Sequence, residues 1–238
     1  MKKLEEMIGS CIRIWGDFCQ KLGGERNALI LLGVLAVSFF VLILVLVCRS
    51  RSHNAVVRKL GKEGENKVKQ VLQSTKSRKK KILNDVVLDC GRGHTTQVDH
   101  IMINEYGVFV VETKNYKGVI YGMEESPSWT QSLNGRAFNF YNPVKQNQGH
   151  IRHMKELFGD RYPYYSAVTF VGEATLKVDS KIVFDLDGLA TYLNSFRKKV
   201  LRPKQITDLY KEIKATQKHK RRMNRKHLRN MKRFKKRR

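Results

Sequence analysis

A continuous apolar run and a later series of short alternating runs divide the chain into two parts of different character. Residues 28–48 contain no charged side chain, whereas from Asn54 onward apolar residues recur with helix or strand periodicity. About 20 consecutive apolar residues suffice for a helix to cross a bilayer. The pattern therefore predicts a transmembrane helix over 28–48, preceded by an amphipathic segment over 1–27 and followed by a juxtamembrane linker over 49–56.

After the linker, the predicted elements are those of an α/β fold. A helix leads into the domain and is interrupted at Gly61 and Gly64, where small residues either allow close backbone approach or cap a turn. The segment 115–141 is loop-rich, with short strands at 119–121 and around Trp129. The remaining runs predict strands over 82–88, 95–103, 107–113, 164–171 and 182–184, and helices over 142–158, 187–196 and 203–215.

The helix at 142–158 has clear boundaries. Asn142 is a favoured N-cap, Pro143 suits the first helical position, and Gly159 ends the helix. The order of helix, three strands, helix, strand and further helices predicts a mixed sheet flanked by helices. We expect a domain over 57–172 and a C-terminal α/β extension over 173–215.

Three charged residues lie on the two strands that flank the turn 104–107. If residue 104 pairs with residue 107, antiparallel pairing places Asp99 directly opposite Glu112, and Lys114 projects from the same face as Glu112. Two opposed carboxylates repel each other and destabilise a sheet, unless a divalent cation lies between them. The three side chains together therefore suggest a metal-dependent hydrolysis of a phosphodiester.

Charge indicates the class of partner. The net charge is +26, and residues 211–238 carry 15 Lys and Arg against one acid, so the rest of the chain is also basic. We expect polyanions as partners, either nucleic acid or an anionic membrane face. The basic tail over 216–238 has few aromatic residues and is expected to contact phosphate without reading sequence, or to lie on anionic lipid.

Charges that flank the apolar run predict its orientation. Five cations follow the run within 15 residues and three precede it, and cytoplasmic flanks carry the excess of Lys and Arg. We therefore expect a single-pass protein of the cell membrane with its C-terminal domain in the cytoplasm, where Cys90 is a reduced thiol. A cleavable signal peptide is the alternative, although its apolar region would be shorter.

Several motifs in the domain resemble those of the nuclease-related domain (NERD), which is placed in the PD-(D/E)xK nuclease superfamily. The resemblance covers roughly residues 57–172, and the motifs occur in the order of that family. They are Gly61-x-x-Gly64-Glu65, Ile82-Leu83-Asn84-Asp85-Val86, Gln97-Val98-Asp99-His100-Ile101, Gly107-Val108-Phe109-Val110-Val111-Glu112-Thr113-Lys114 and Asn142-Pro143-x-x-Gln146-Asn147.

The resemblance implies a PD-(D/E)xK-like mixed sheet and a role for each matching residue. Asp99 and Glu112 correspond to the metal-binding pair, and Glu65 to the helical acid that helps hold or order the metal. Lys114 corresponds to the lysine that positions or activates the attacking water, and Gln146 to a glutamine that orients the lysine or the substrate. Each residue also has an alternative role. Glu65 could be a surface acid, with Glu63 as the rival for the helical acid, and Gln146 could only form a hydrogen bond at the start of its helix. Asp99, Glu112 and Lys114 could be an inactive remnant.

The chemistry of the ligands points to Mg²⁺, with Mn²⁺ as an alternative. Carboxylate oxygens, waters and substrate phosphate suit Mg²⁺, and the Cys and His spacing of a zinc site is missing from the sequence. His100 points away from Asp99 by alternation, so we expect it in the core or behind the metal ligands, not as a ligand. His150 follows Gln146 by four residues and could reach the site, but is more simply a surface histidine. For Trp129, Tyr116 and Tyr121, packing at the sheet edge is favoured over stacking on bases.

Three functions are consistent with the sequence. The first is a membrane-anchored, Mg²⁺-dependent nuclease, with DNA preferred over RNA as the substrate. The second is a catalytically inactive, membrane-tethered protein that binds nucleic acid, and the third is a membrane interaction module whose basic tail binds lipid. The oligomeric state, the cleavage pattern and the sequence preference do not follow from the sequence.

Overall fold

A computed structural model describes residues 10, 13–18, 20–21, 23–91 and 94–217 of the chain. The chain divides into two compact units, Met1–Arg58 and Lys59–Arg238. The predicted basic tail from residue 218 onward lies outside the described residues, as does most of the first half of the predicted segment 1–27.

The first long helix, α1, runs over Glu25–Ser74 and contains the apolar run. By length and composition, its part Leu35–Ser74 is apolar enough to cross a membrane: its apolar window has a mean hydropathy of 1.9 and none of it is buried. A signal sequence near the N-terminus also meets this criterion of length and composition. The helix continues through Gly61 and Gly64, so the predicted interruption is wrong.

The second unit contains nine strands within the described residues. The predicted hairpin turn is confirmed, because Asn104 pairs with Gly107 and the predicted register holds as far as His100 and Val111. The strands are β1 Lys81–Asp89, β2 Thr95–Asn104, β3 Gly107–Lys114, β4 Gly118–Met123, β5 Ser128–Leu133, β6 Arg136–Tyr141, β7 Tyr164–Phe170, β8 Ala174–Asp179 and β9 Val183–Phe184.

The strands form two mixed sheets instead of the single sheet that we predicted. The first has the order β1-β2-β3-β7-β9, with antiparallel pairing up to β3 and parallel pairing beyond it. The second has the order β6-β5-β4-β8, and its strands β4, β5 and β6 occupy the segment predicted to be loop-rich. An apolar cluster that includes Ile120, Trp129 and Phe170 joins the two sheets.

Helices cover both faces of the five-stranded sheet, as predicted. The helices after α1 are α2 Pro143–Phe158, α3 Leu186–Ser195 and α4 Pro203–Thr216. On one face Met154 of α2 and Leu209 of α4 pack against the sheet. On the other face Leu72 of α1 and Leu189 of α3 do so. Each helix thus buries an apolar stripe, which leaves the polar ends of β2 and β3 to form a site.

Candidate active site

The closest charged contact in the domain joins Glu112 and Lys114 at the end of β3. Lys114 Nζ lies 2.6 Å from Glu112 Oε1, and the two side chains are 16% and 3% exposed. Alternate residues of a strand project from the same face, which is why the two groups meet. A buried ion pair is stable only when its geometry is good and its remaining polar atoms have partners. The surroundings of this pair therefore determine what it can do.

Asp99 lies beside Glu112, just beyond the last regular pair of the hairpin. Its Oδ2 accepts a hydrogen bond of 2.9 Å from the main-chain N–H of Thr113. The Asp99 carboxylate thus occupies the place of a main-chain acceptor, which fixes it at the end of the ladder. The charges of Asp99 and Glu112 interact, so the two acids are neighbours, although the regular register that would set them directly opposite ends one pair earlier, at His100 and Val111.

The pKa directions show how the three charges are balanced. Burial raises the pKa of Asp99 well above its usual value, and the nearby charge of Glu112 raises it further. Burial also acts to raise the pKa of Glu112, but the charge of Lys114 and contact with His150 outweigh it and lower that pKa. Burial acts to lower the pKa of Lys114, and Glu112 outweighs it and raises that pKa. At neutral pH the site therefore holds an ionised Glu112 and a protonated Lys114, with Asp99 the acid that resists ionisation.

Helix α2 supplies the third partner of the lysine. Lys114 Nζ donates to Gln146 Oε1 at 3.0 Å, so the structure brings the predicted glutamine and lysine together. The helix begins where the sequence predicted because the side chain of Asn142 accepts from the N–H groups of Val144 and Lys145. The Asn142 amide also donates to the carbonyls of residues 123, 124 and 126, which ties the start of the helix to the second sheet.

Asn147 fixes the depth of α2 on the sheet. Its Nδ2 donates to the carbonyls of Val110 in β3 and Ala167 in β7, and to the hydroxyl of Ser166. It therefore holds the helix over the line between two parallel strands. No role was predicted for Asn147 from the sequence, although an amide next to a site glutamine is a signal for such an anchor.

His150 is a site residue, and the surface position predicted for it is wrong. It is buried, not a surface histidine, and its Nε2 lies 3.3 Å from Glu112 Oε2. Its Nδ1 lies 2.9 Å from the hydroxyl of Thr96. A hydroxyl that donates to Nδ1 leaves the proton on Nε2, the ring nitrogen nearer the carboxylate. The spacing of four residues from Gln146 was the available signal, because it places both on one face of α2.

Glu65 approaches the site from α1. Gly64 allows this, because a Cβ at that position would lie 2.7 Å from Val171 Cγ2 and 3.0 Å from Asn115 Cβ. Asn115 in turn donates to the carbonyl of Leu60 at 2.6 Å, which holds the helix against the residue after Lys114. Two roles were predicted for Gly64, and the structure shows the close backbone approach, not the cap of a turn.

The charge of Glu65 interacts with the charges of nearby acids. Burial raises its pKa, and the charges of Asp85 and Glu112 act in the same direction. Glu65 is half-buried and Glu63 is exposed, which favours Glu65 as the helical acid. The described residues contain no group of three or more His, Cys, Asp and Glu side chains placed to hold one metal ion. The structure thus does not assemble Glu65, Asp99 and Glu112 into the three-acid ligand set that we expected.

Asp85 is a further acid beside the site. In the pairing of β1 with β2, Asp85 falls opposite Asp99. Its Oδ1 accepts a hydrogen bond from Gln97 Nε2 at 3.0 Å. Its φ of 54° is left-handed, an uncommon conformation for a residue inside a strand. Leu83 and Val86 pack in the same apolar cluster, so the strand changes face at this point. The sequence carried no signal for this local strain, which lies next to the acids of the site.

The donor set fits a hard divalent cation. Glu112 Oε2 is buried and has no partner in hydrogen-bonding geometry, since His150 Nε2 is near but poorly directed. Buried carboxylate oxygens without a partner are costly and often mark the position of an ion or water. Mg²⁺ commonly uses one or two carboxylates and completes its shell with water and phosphate oxygens. Asp99 and Glu112 are sufficient for that mode, with Glu65 acting through its charge.

The other residues considered from sequence lie in the core or at its edge. His100 is buried in the core as predicted, its Nδ1 is 2.7 Å from Asn84 Oδ1, and burial lowers its pKa to about 4. Trp129 is buried and Tyr116 packs on Phe140, which agrees with the packing reading for both. Tyr121 is exposed and lies under the ammonium group of Lys177.

Comparison with known proteins finds a family match for the domain. Residues 60–171 match the family model of the nuclease-related domain, which confirms the resemblance found in the motifs. The chain is also similar to an uncharacterized protein of Bacillus anthracis, with 41% identity over 129 residues that cover 52% of this chain and 61% of the relative. The chain therefore spans about three fifths of the length of the curated relative that it matches. No solved structure matches the chain.

Proposed function

We propose that the nuclease-related domain of this chain hydrolyses phosphodiester bonds of nucleic acid, with DNA preferred over RNA, in a reaction that requires Mg²⁺. The observation that carries this proposal is the position of Lys114 Nζ, which is held between Glu112 Oε1 and Gln146 Oε1 beside a second, electrostatically strained acid. A lysine anchored in this way next to two carboxylates is suited to phosphate chemistry. A purely structural pair would not need a like charge at its side.

Asp99 and Glu112 would hold the metal ion. Bound Mg²⁺ would offset the charge of the phosphate and make a nearby water more acidic. A cation at this place would favour the ionised form of Asp99, whose pKa is raised by burial and then by the nearby charge of Glu112. Glu112 is kept ionised by Lys114 and by its contact with His150, so it is ready to bind a cation at neutral pH.

Lys114 acts as a cation in this scheme. Because Glu112 raises its pKa, the ammonium group stays protonated and does not take a proton from water. It donates hydrogen bonds instead, which places it to position the attacking water or to stabilise negative charge as it develops on the phosphate. Gln146 accepts one of its protons and so fixes the direction of the ammonium group.

We propose that the apolar part of α1 anchors the domain in the cell membrane, with the domain on the cytoplasmic side. The support is the length and composition of the helix, together with the excess of cations after residue 48. The preference for DNA rests on the basic character of the chain and on the family, and both also accommodate RNA.

The function is tested with the full-length chain in detergent, incubated with plasmid DNA and with RNA in the presence of Mg²⁺ or EDTA. We expect cleavage only with Mg²⁺, and a loss of about 10³-fold in rate for Glu112→Gln. The matched control is Glu173→Gln, because Glu173 is an exposed glutamate whose partner Lys117 is also on the surface. Equal turnover by the wild type and Glu112→Gln would remove the mechanism. Steeply salt-dependent binding without any cleavage would identify the inactive nucleic-acid-binding alternative.

A further inference from the structure

Two basic segments that are far apart in sequence meet at the turn of the β2–β3 hairpin. One is 76–81, which follows α1 and ends on the first residue of β1, and the other is 197–204, which follows α3 and ends in the first turn of α4. Neither contains an acid. We call their ten cations the turn-end basic surface: Lys76, Arg78, Lys79, Lys80, Lys81, Arg197, Lys198, Lys199, Arg202 and Lys204.

Glu105, at the tip of the hairpin, holds both segments. Its carboxylate accepts from the hydroxyl of Ser77 at 2.5 Å. Its main-chain carbonyl accepts from the N–H groups of Val200 and Leu201 at 2.8 and 3.0 Å. A further bond of 2.9 Å, from the N–H of Lys76 to Asn194 Oδ1, links the first segment to α3. None of these contacts uses a cationic side chain, so most of the cationic side chains stay exposed.

The cations of this surface are not neutralised by nearby acids. Among the described residues, none of the ten forms an ion pair. Lys80 and Arg197 donate to main-chain carbonyls, and Lys81 lies over the ring of Tyr210. The others are exposed, and Glu105 is the acid enclosed between them. Such a concentration of unpaired like charge destabilises the fold slightly and attracts polyanions.

We propose that the turn-end basic surface binds the phosphate backbone of nucleic acid at a place separate from the candidate active site. The separation follows from the hairpin: Asn104 follows Asp99 by five residues along β2, a distance of about 17 Å at roughly 3.4 Å per residue. That distance corresponds to about five base-pair steps of duplex DNA. The surface therefore anchors a long substrate and contributes nothing to a small one. This inference takes its ligand class from the proposed function, but its binding test does not require cleavage.

Nucleic acid fits this surface better than a membrane does. Proteins that lie on a membrane combine cations with exposed apolar side chains that enter the lipid. The large apolar side chain exposed within the described part of this surface is Val200, at 40%. Neither segment contains an aromatic residue. Exposed cations without an exposed aromatic ring among them are typical of contacts to phosphate that do not read sequence.

The test compares two variants of the full-length chain, both in a Glu112→Gln background and in EDTA. The first carries R78Q, K79Q, K198Q and K199Q, which change exposed side chains and keep the main-chain contacts of Glu105. The second carries R152Q, K155Q, K177Q and K181Q, which remove four exposed cations elsewhere. Binding of a duplex of about 20 base pairs is followed by fluorescence anisotropy over a range of salt concentrations.

We expect the first variant to bind the duplex at least about tenfold more weakly near 0.1 M salt, with the slope of log K against log salt smaller by about 2 to 4. The second variant should stay within about threefold of its parent. In the active background, the first variant should cleave the small phosphodiester bis(4-nitrophenyl) phosphate at the parental rate. Equal loss of affinity in both variants would overturn the proposal. So would unchanged duplex binding combined with lost binding to phosphatidylserine vesicles, which would identify a lipid surface.

Failure of the proposed function is distinguishable from failure of this inference. If the chain binds duplex through the turn-end surface but cleaves no substrate, the inference holds and the hydrolase proposal falls. If it cleaves and the first variant binds as tightly as its parent, the reverse is true.

Discussion

The two ends of the β2–β3 hairpin use charge in opposite ways. At the open end, Glu112 and Lys114 are buried and paired, with Asp99 beside them. At the turn end, exposed cations surround Glu105 without ion pairs among the described residues. Buried charges must be compensated and are therefore fixed in geometry, whereas exposed charges are screened by salt and adapt to a partner. One hairpin thus carries a rigid site for chemistry and a less specific surface for attachment.

The largest effect that separates buried from exposed charge is expected for Lys114→Met. Removing the ammonium group leaves Glu112 buried and ionised without its main partner, which costs about 3 kcal/mol of the free energy of unfolding. The matched control is Lys117→Met, since Lys117 pairs with Glu173 on the surface and should contribute less than about 1 kcal/mol. Urea denaturation at pH 7 measures both.

The pH dependence of the Lys114→Met effect has a definite sign. The folded-state pKa of Glu112 is lowered, so its contribution to stability is present above the unfolded value, near 4.3, and is lost as the pH falls through the folded value. The cost of Lys114→Met should therefore shrink below about pH 4. A cost that is independent of pH would show that the lost packing of the side chain, not the buried charge, dominates.

His150→Ala tests whether the contact with Glu112 supports the site. Loss of a residue that orients a metal ligand typically costs about 10- to 100-fold in metal affinity or activity. We expect that loss in cleavage rate and in Mg²⁺ affinity, with partial recovery in His150→Gln, whose amide can donate to Glu112. His153→Ala is the control on the same helix, because His153 is partly exposed and pairs with Glu156. If only thermal stability changes, the histidine is a packing residue.

The packing of α1 against the open end is tested by two glycines on one helix. Gly64→Ala should destabilise the domain by about 1 to 3 kcal/mol, because the new Cβ would clash with Val171 and Asn115. Gly61→Ala should stabilise it by up to about 1 kcal/mol, since nothing lies within 4 Å of that position and alanine favours a helix. Chemical denaturation gives both values, and equal effects would contradict the close approach of α1.

The sequence predicted the parts of the fold that depend on short-range signals. The hairpin follows from Asn104, Gly107 and the alternation around them, and α2 follows from its cap and its final glycine. The second sheet was not predictable in this way, because β4 pairs in parallel with β8 across some 50 residues and β6 is largely exposed. Long-range pairing leaves little local periodicity to detect.

For the site, too, short-range signals predicted some residues, and tertiary packing decides the rest. The register of one hairpin is enough to place Asp99, Glu112 and Lys114 together, and a family motif adds Gln146. The depth of His150 depends on how Asn147 seats the helix on β3 and β7, which is a tertiary property. The left-handed Asp85 and the meeting of two basic segments at Glu105 likewise arise only after the chain has folded.

Asp99→Asn isolates the like charge at the open end and is expected to have the smallest effect on stability. The folded-state pKa of Asp99 is raised, so its favourable contribution is present below the unfolded value, near 4, and is lost as the pH rises through the folded value. Asparagine keeps an oxygen that can accept from Thr113 and lacks the charge. At pH 7 in EDTA the variant should be more stable than the wild type by about 1 kcal/mol. The difference should vanish near pH 3.

The central claim, that Asp99 and Glu112 bind one divalent cation, is tested most directly by the melting temperature of the full-length wild type and Asp99→Asn as Mg²⁺ is added. A ligand that binds only the folded state raises the melting temperature in proportion to the logarithm of its concentration. We expect the melting temperature of Asp99→Asn to be higher than that of the wild type in EDTA and to stay constant, while that of the wild type rises with Mg²⁺. An equal rise in both proteins, or no rise in the wild type, would contradict it.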